Sequence, residues 1–279
     1  MCEHPPICSH MTHMPIFLRH ALAVTTIACF TATAAPVTAA DEAQVSVLNG
    51  WRMDNGHHMA ALRISLADGW HTYWRAPGDA GIPPRFDWSA SKNVSGVHVH
   101  WPTPNVYAQN DMRYVGYEGE VVLPLEIRPT ASGAIHLEGV IEFGVCDDIC
   151  IPMTAQLRLD LDGTAPQSDY PAITASLNDA PTRITDAKCD AAPIEDGLKV
   201  TVTLGVPSLG AREIAVIEHP DAAIWVSEAM TTRKDTSTLT AVSELVPPHA
   251  KPFMINRSDL TITVIGNGTT YEARGCTGR

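Results

Sequence analysis

Ile135-His136-Leu137-Glu138-Gly139-Val140-Ile141-Glu142-Phe143 is the clearest period-two run in the chain, and it leads directly into Gly144-Val145-Cys146-Asp147-Asp148-Ile149-Cys150-Ile151-Pro152. Alternation at this period predicts a strand with one face buried. The two cysteines at its end set a geometric condition. On one straight strand their Cα atoms would lie roughly 13 Å apart, at about 3.3 Å per residue, whereas a disulfide needs them within about 7 Å. If they bond, the chain turns between them. Asp147-Asp148 are turn-forming residues, and Gly144 and Pro152 suit strand ends. The reading is a hairpin tip, or a strand end, open to a partner.

Working outward, the same period recurs on both sides. Val45–Leu48, Ala60–Leu66, Val97–Trp101, Val121–Ile127 and Ala155–Leu161 alternate in the same way, with Gly, Pro, Asn and Asp between them. Six or more short strands so punctuated predict a β-sandwich over residues 41–162. Residues 163–182 read as a linker containing a short helix from Tyr170 to Asn178, with Asp169 as its cap. A second strand series follows in Leu198–Leu204, Glu213–Ile217, Leu239–Val242 and Leu260–Ile265. The fold class is therefore all-β, with a second and smaller β-sandwich over residues 183–279.

Residues 1–40 read as a secretory leader. Arg19 and His20 precede the apolar run Ala21–Phe30, and small residues lead to Ala35 and Ala40. The run is too short and too broken by threonine to span a bilayer. Cleavage is expected after Ala40, with Ala35 the second choice, and the mature protein is expected in the periplasm. The net charge is −12, and it stays so without the leader, which removes only Arg19 and Glu3. An acidic surface of that kind excludes nucleic acid as a partner. No glycine-rich phosphate loop or hydrolytic constellation is present, and neither a cofactor nor a small-molecule substrate is expected.

Of the seven cysteines, Cys2, Cys8 and Cys29 fall in the leader. The four that remain enter an oxidising compartment and allow three pairings. Proximity favours Cys146 with Cys150, leaving Cys189 with Cys276. A loop as short as the first removes little entropy from the unfolded chain, so a structural role would contribute little, and an accessible bond on a turn suits exchange. The second bond would close a long loop around the second sandwich and stabilise it by about 4 kcal/mol. It reads as structural. Asp147 and Asp148 oppose a thiolate beside them, which points to a reductant or relay. Trp70, Tyr73 and Trp74 read as core or loop anchors. His57-His58-Met59 and the alternating His98 and His100 are the only metal candidates. Without a third ligand they do not make a site, and no metal is assigned.

Phe143–Pro152 resembles the active-site hairpin of the amino-terminal domain of the DsbD thiol:disulfide interchange family, and more closely its copper-sensitivity suppressor branch, ScsB. Gly69-Trp70-His71-Thr72-Tyr73-Trp74-Arg75, Pro77–Gly81, Trp101–Pro104 and Tyr114–Glu120 carry the same likeness, which covers residues 43–162. The resemblance implies an immunoglobulin-like redox domain in which Cys150 attacks and Cys146 resolves. It implies an aromatic cap over the disulfide, for which Tyr107, Tyr114 and Tyr117 are the candidates. It further implies thioredoxin-fold partners, a membrane electron-transfer protein as a separate component, and service in copper tolerance or cytochrome c maturation. The family's full-length members continue into a membrane domain and a thioredoxin domain, whereas this sequence ends at Arg279. The rival reading is an exported, non-catalytic binding module with structural disulfides, in the manner of a copper-handling protein.

Overall fold

The computed structural model describes residues 37–39, 41–78, 81–109, 112–161 and 167–278. The expected leader lies outside this range apart from Val37–Ala39. Eleven strands make the first half: β1 (Val37–Ala39), β2 (Ala43–Arg52), β3 (His58–Leu66), β4 (His71–Tyr73), β5 (Arg85–Asp87), β6 (Gly96–Val99), β7 (Asn105–Gln109), β8 (Met112–Glu118), β9 (Glu120–Arg128), β10 (Ile135–Cys146) and β11 (Cys150–Leu161). They form two sheets, ordered β1-β2-β3-β9-β6 and β11-β10-β4-β8-β7, with β5 on the free stretch of β10.

The alternation seen in the sequence sets which face is inside. On β10 the residues Ile135, Leu137, Ile141, Phe143 and Val145 are buried, and on the neighbouring β11 Met153, Ala155, Leu157, Leu159 and Leu161 line the same face of the core beside them. Strand β3 departs from alternation: His58, Met59, Ala60, Ala61 and Leu62 are all buried. The cause is a helix on its outer side. Helix α1 (Tyr170–Asn178) drops Ile173 between Leu48, Met59 and Ala61, and the Ser176 hydroxyl donates to the Val122 carbonyl at 2.6 Å. Pro171 sits in its first turn, where a missing N–H costs nothing. Asp169 occupies the cap position but makes no cap bond. Its carboxylate instead accepts from the Asn49 N–H of β2 at 3.0 Å, which fastens the helix start to the sheet.

The second half contains β12 (Thr182–Ile184), β13 (Ala187–Pro193), β14 (Leu198–Gly205), β15 (Ile214–Glu218), β16 (Trp225–Val226), β17 (Met230–Arg233), β18 (Thr238–Val246), β19 (Thr261–Gly266), β20 (Thr269–Arg274) and β21 (Thr277–Gly278). One sheet runs β12-β20-β19-β15 and the other β16-β18-β14-β13-β21, with β17 on β18. Val200, Val202, Leu204, Leu239, Ala241, Ile262 and Val264 fill the space between them. The protein is thus all-β with more than one sandwich. The two halves touch through apolar groups as well as charges, since Ile265 of β19 packs into the first core. Among the described residues no helix is long and apolar enough to cross a membrane.

Candidate functional site

β10 and β11 pair residue for residue from Ile135 with Leu161 to Cys146 with Cys150. The turn is the three residues Asp147-Asp148-Ile149, held by the Asp147 N–H donating to the Ile149 carbonyl at 3.1 Å. The cysteines are the last pair of the hairpin, their Cα atoms 4.1 Å apart, and they are joined as a disulfide. The two sulfurs are in unlike surroundings. Cys146 is 1% exposed, whereas Cys150 lies on the surface beside Ile149, which is 66% exposed.

The wall behind Cys146 comes from β4. This short strand pairs with β10 through His71 opposite Cys146 and Thr72 opposite Val145, and with β8 on its other side. Successive side chains of a strand point to opposite faces. Trp70 and Trp74 therefore join the main core, while His71 and Tyr73 face the disulfide. The Thr72 hydroxyl locks the alignment by donating to the Gly144 carbonyl at 2.8 Å. The Tyr73 hydroxyl then donates to Cys146 Sγ at 3.0 Å and lies 3.5 Å from Cys150 Sγ. Gly144 is needed for this approach, because a Cβ there would stand 3.0 Å from the Tyr73 ring and 2.9 Å from Ile82 Cβ.

Aromatic rings from the β7–β8 hairpin close the side. Tyr107 and Tyr114 are cross-strand partners whose rings stack at 5.0 Å, and Tyr114 stacks in turn on His71 at 4.0 Å. Tyr73 meets Tyr114 edge-on at 5.8 Å. Burial pushes the Tyr73, Tyr107 and Tyr114 phenols up from their ordinary range, so Tyr73 stays a hydrogen-bond donor at neutral pH. Burial lowers the His71 pKa, partly offset by the carboxylate of Asp147, which favours a neutral imidazole.

Of the residues singled out in the sequence, Cys146, Cys150, Tyr107 and Tyr114 come together here. Tyr117 does not: it points into the main core and donates to the Pro102 carbonyl at 2.9 Å. Tyr73, expected as a core or loop anchor, is instead the side chain that touches both sulfurs, with His71 edge-on beside it. Their signal was the two-residue spacing within Trp70–Trp74. Cys189 of β13, 1% exposed, is bonded to Cys276, just before β21, with Cα atoms 5.6 Å apart.

The strand that carries Tyr73 continues into an anchor on the second sandwich. Arg75 Nε and Nη2 donate to the two oxygens of Glu218 at 2.9 Å each, and Nη2 also reaches Glu272 at 2.8 Å. Its guanidinium lies 4.2 Å over the Trp74 ring. The histidine candidates converge elsewhere: His57 Nδ1 and His100 Nε2 sit 2.6 and 3.2 Å from the two oxygens of Glu126, and His98 lies against His100. Among the described residues no group of three or more His, Cys, Asp or Glu is placed to hold a metal ion.

Residues 34–161 match the family described as thiol:disulfide interchange protein DsbD, N-terminal. Among solved structures, the N-terminal periplasmic domain of ScsB from Proteus mirabilis aligns with a TM-score of 0.64 at 22% identity, covering 86% of this chain and 95% of that one. At that identity the likeness shows the fold, and it extends over both sandwiches. No curated protein matches the sequence. Over residues 34–161 the chain is thus similar to the amino-terminal domain of the DsbD thiol:disulfide interchange family, and its fold is that of the ScsB periplasmic domain.

Proposed function

We propose that this protein is a periplasmic thiol–disulfide exchange protein that relays reducing equivalents through Cys146 and Cys150 to thioredoxin-fold partners. The observation that carries the reading is the asymmetry of the disulfide: one sulfur exposed, the other buried and hydrogen-bonded by Tyr73. In thiol–disulfide exchange the incoming thiolate attacks one sulfur and the other leaves as a thiolate, faster when that thiolate is stabilised. Cys150 is the sulfur open to attack. Cys146 is the leaving sulfur, and the Tyr73 hydroxyl supplies the hydrogen bond that its developing charge requires.

In the reducing direction the same parts run in reverse. The Cys150 thiolate attacks a partner disulfide and forms a mixed disulfide, releasing one partner thiolate. Cys146 then attacks Cys150 Sγ, expels the second partner thiolate and restores the Cys146–Cys150 bond. Two electrons pass to the partner, whose two thiolates take up the protons that the cysteines lose. A membrane electron-transfer protein would reload the pair. Asp147 and Asp148 at the turn disfavour a thiolate beside them, which makes the dithiol a donor rather than an oxidant.

Substitution tests the assignment. Cys146→Ser leaves Cys150 without its resolving partner, and it is expected to accumulate a covalent adduct with an oxidised thioredoxin-fold protein on a non-reducing gel. Cys150→Ser is expected to trap far less, because Cys146 is buried. Failure of Cys146→Ser to form any adduct, together with a wild-type disulfide that resists a physiological dithiol, would contradict the proposal and favour an inert staple.

A further inference from the structure

Ile82 and Pro83 are adjacent in sequence but serve two different surfaces. Ile82 is 40% exposed and lies over Gly144, two residues before Cys146. Pro83 lines a cleft of about 400 Å3 between the two sandwiches. One side of that cleft is Pro77 and Val115 of the redox sandwich. The other is Ile217 and Val226 of the second sandwich, with Trp225 half-exposed. Its charged lining is already paired, as Arg75 with Glu218 and Arg113 with Glu228. An apolar interior whose charges are mutually satisfied suits an apolar guest rather than an ion.

The distribution of exposed apolar groups points the same way. Five large hydrophobic side chains are exposed among the described residues: Ile82, Ile149, Trp225, Met230 and Met254. The first lies over the disulfide strand, the second is on the turn beside Cys150, and the third is at the cleft. Scattered single residues need no explanation, but the cleft adjoins the sulfur site: Tyr73, whose hydroxyl touches both sulfurs, and Pro77, which lines the cleft, lie together against Gly81. The sulfur also limits what can cover it. A mixed disulfide fixes the partner's sulfur at bonding distance from Cys150. A specific interface then buries about 800 Å2 on each side, a patch of roughly 16 Å radius around the contact.

We infer that the second sandwich supplies part of the docking surface: the cleft between Pro83 and Trp225 receives an apolar loop of a thioredoxin-fold partner while that partner's thiol reaches Cys150. The inference rests on the exchange reading above and adds to it a role for the second sandwich in partner selection. Arg75 and the Arg113–Glu228 pair hold the two sides of the cleft in place for this purpose.

The test compares two reductants of the oxidised full chain, dithiothreitol, which needs only the sulfur, and reduced thioredoxin, a protein probe that must dock. In Trp225→Ala the ratio of the thioredoxin rate constant to the dithiothreitol rate constant is expected to fall about tenfold, as for loss of an aromatic contact at an interface. Because the ratio is internal, the amount of folded protein cancels. Ala229→Trp fills the cleft from the other direction and is expected to lower the same ratio, which keeps the test open if Trp225→Ala folds poorly. A ratio unchanged within twofold in these variants overturns the inference. A wild-type protein whose Cys146–Cys150 bond reacts with neither reagent overturns the exchange reading instead.

Discussion

The Cys146–Cys150 bond closes a hairpin tip across three residues and leaves one sulfur on the surface, whereas Cys189–Cys276 joins β13 to the end of the chain across a separation of 87 residues with Cys189 buried. The chain-entropy model makes the second worth roughly 4–5 kcal/mol and the first about 2 kcal/mol. The surroundings differ in the same sense. Cys146 and Cys150 lie beside a phenol that can stabilise a leaving thiolate. Cys189 packs among Val202, Leu239 and their neighbours in an apolar core, which disfavours any thiolate. Two bonds of the same chemistry thus differ in loop length, exposure and one neighbouring hydroxyl group.

The largest expected effect comes from removing the long-range bond. Cys189→Ala with Cys276→Ala should lower the free energy of unfolding by roughly 4–5 kcal/mol in urea titrations, with exchange by dithiothreitol at Cys150 retained. Cys146→Ala with Cys150→Ala should cost about 2 kcal/mol at most and abolish exchange. Equal losses of stability from the two double variants would break the contrast.

Acid sharpens the comparison between the sandwiches that carry the bonds. His58 of the first is 1% exposed, neither ring nitrogen has a hydrogen-bond partner, and burial, with Arg52 nearby, lowers its pKa to about 4. The folded state therefore holds it neutral while the unfolded state protonates it near 6.5. Stability is lost as pH falls from about 6.5 and levels off below about 4, by about 3 kcal/mol in all. His219 and His249 of the second sandwich are not buried. Unfolding followed from pH 7 to pH 4 should show the loss in the wild type and a flatter profile in His58→Leu.

Tyr73→Phe carries the smallest energetic change but reports most directly on the site. Loss of the hydrogen bond to Cys146 should slow reduction by dithiothreitol about tenfold, the worth of a bond to a charged group. Stability should change by less than about 1 kcal/mol, because the ring and its packing remain. An unchanged rate would remove Tyr73 from the mechanism.

The long strands were legible because each buries one face, so β2, β9, β10, β11, β14 and β18 stand out by period alone. β4 was not. With three residues it shows less than two full periods, and its place is set by long-range pairing with β10 and β8 rather than by its own sequence. This is why Tyr73 reads as packing from the sequence. The cap candidates were partly separable: Tyr114 and Tyr117 are three residues apart, so a strand must put them on opposite faces, and only Tyr114 turns to the disulfide. The continuous burial of β3 depends on helix α1, more than one hundred residues later in the chain, which local alternation does not reveal.

The most direct test of the central claim is a timed reduction of the wild-type protein by reduced thioredoxin, with thiols alkylated and assigned by peptide mass. The account predicts that Cys146 and Cys150 are alkylated early while Cys189 and Cys276 remain joined. Simultaneous opening of both bonds, or earlier opening of Cys189–Cys276, would contradict it.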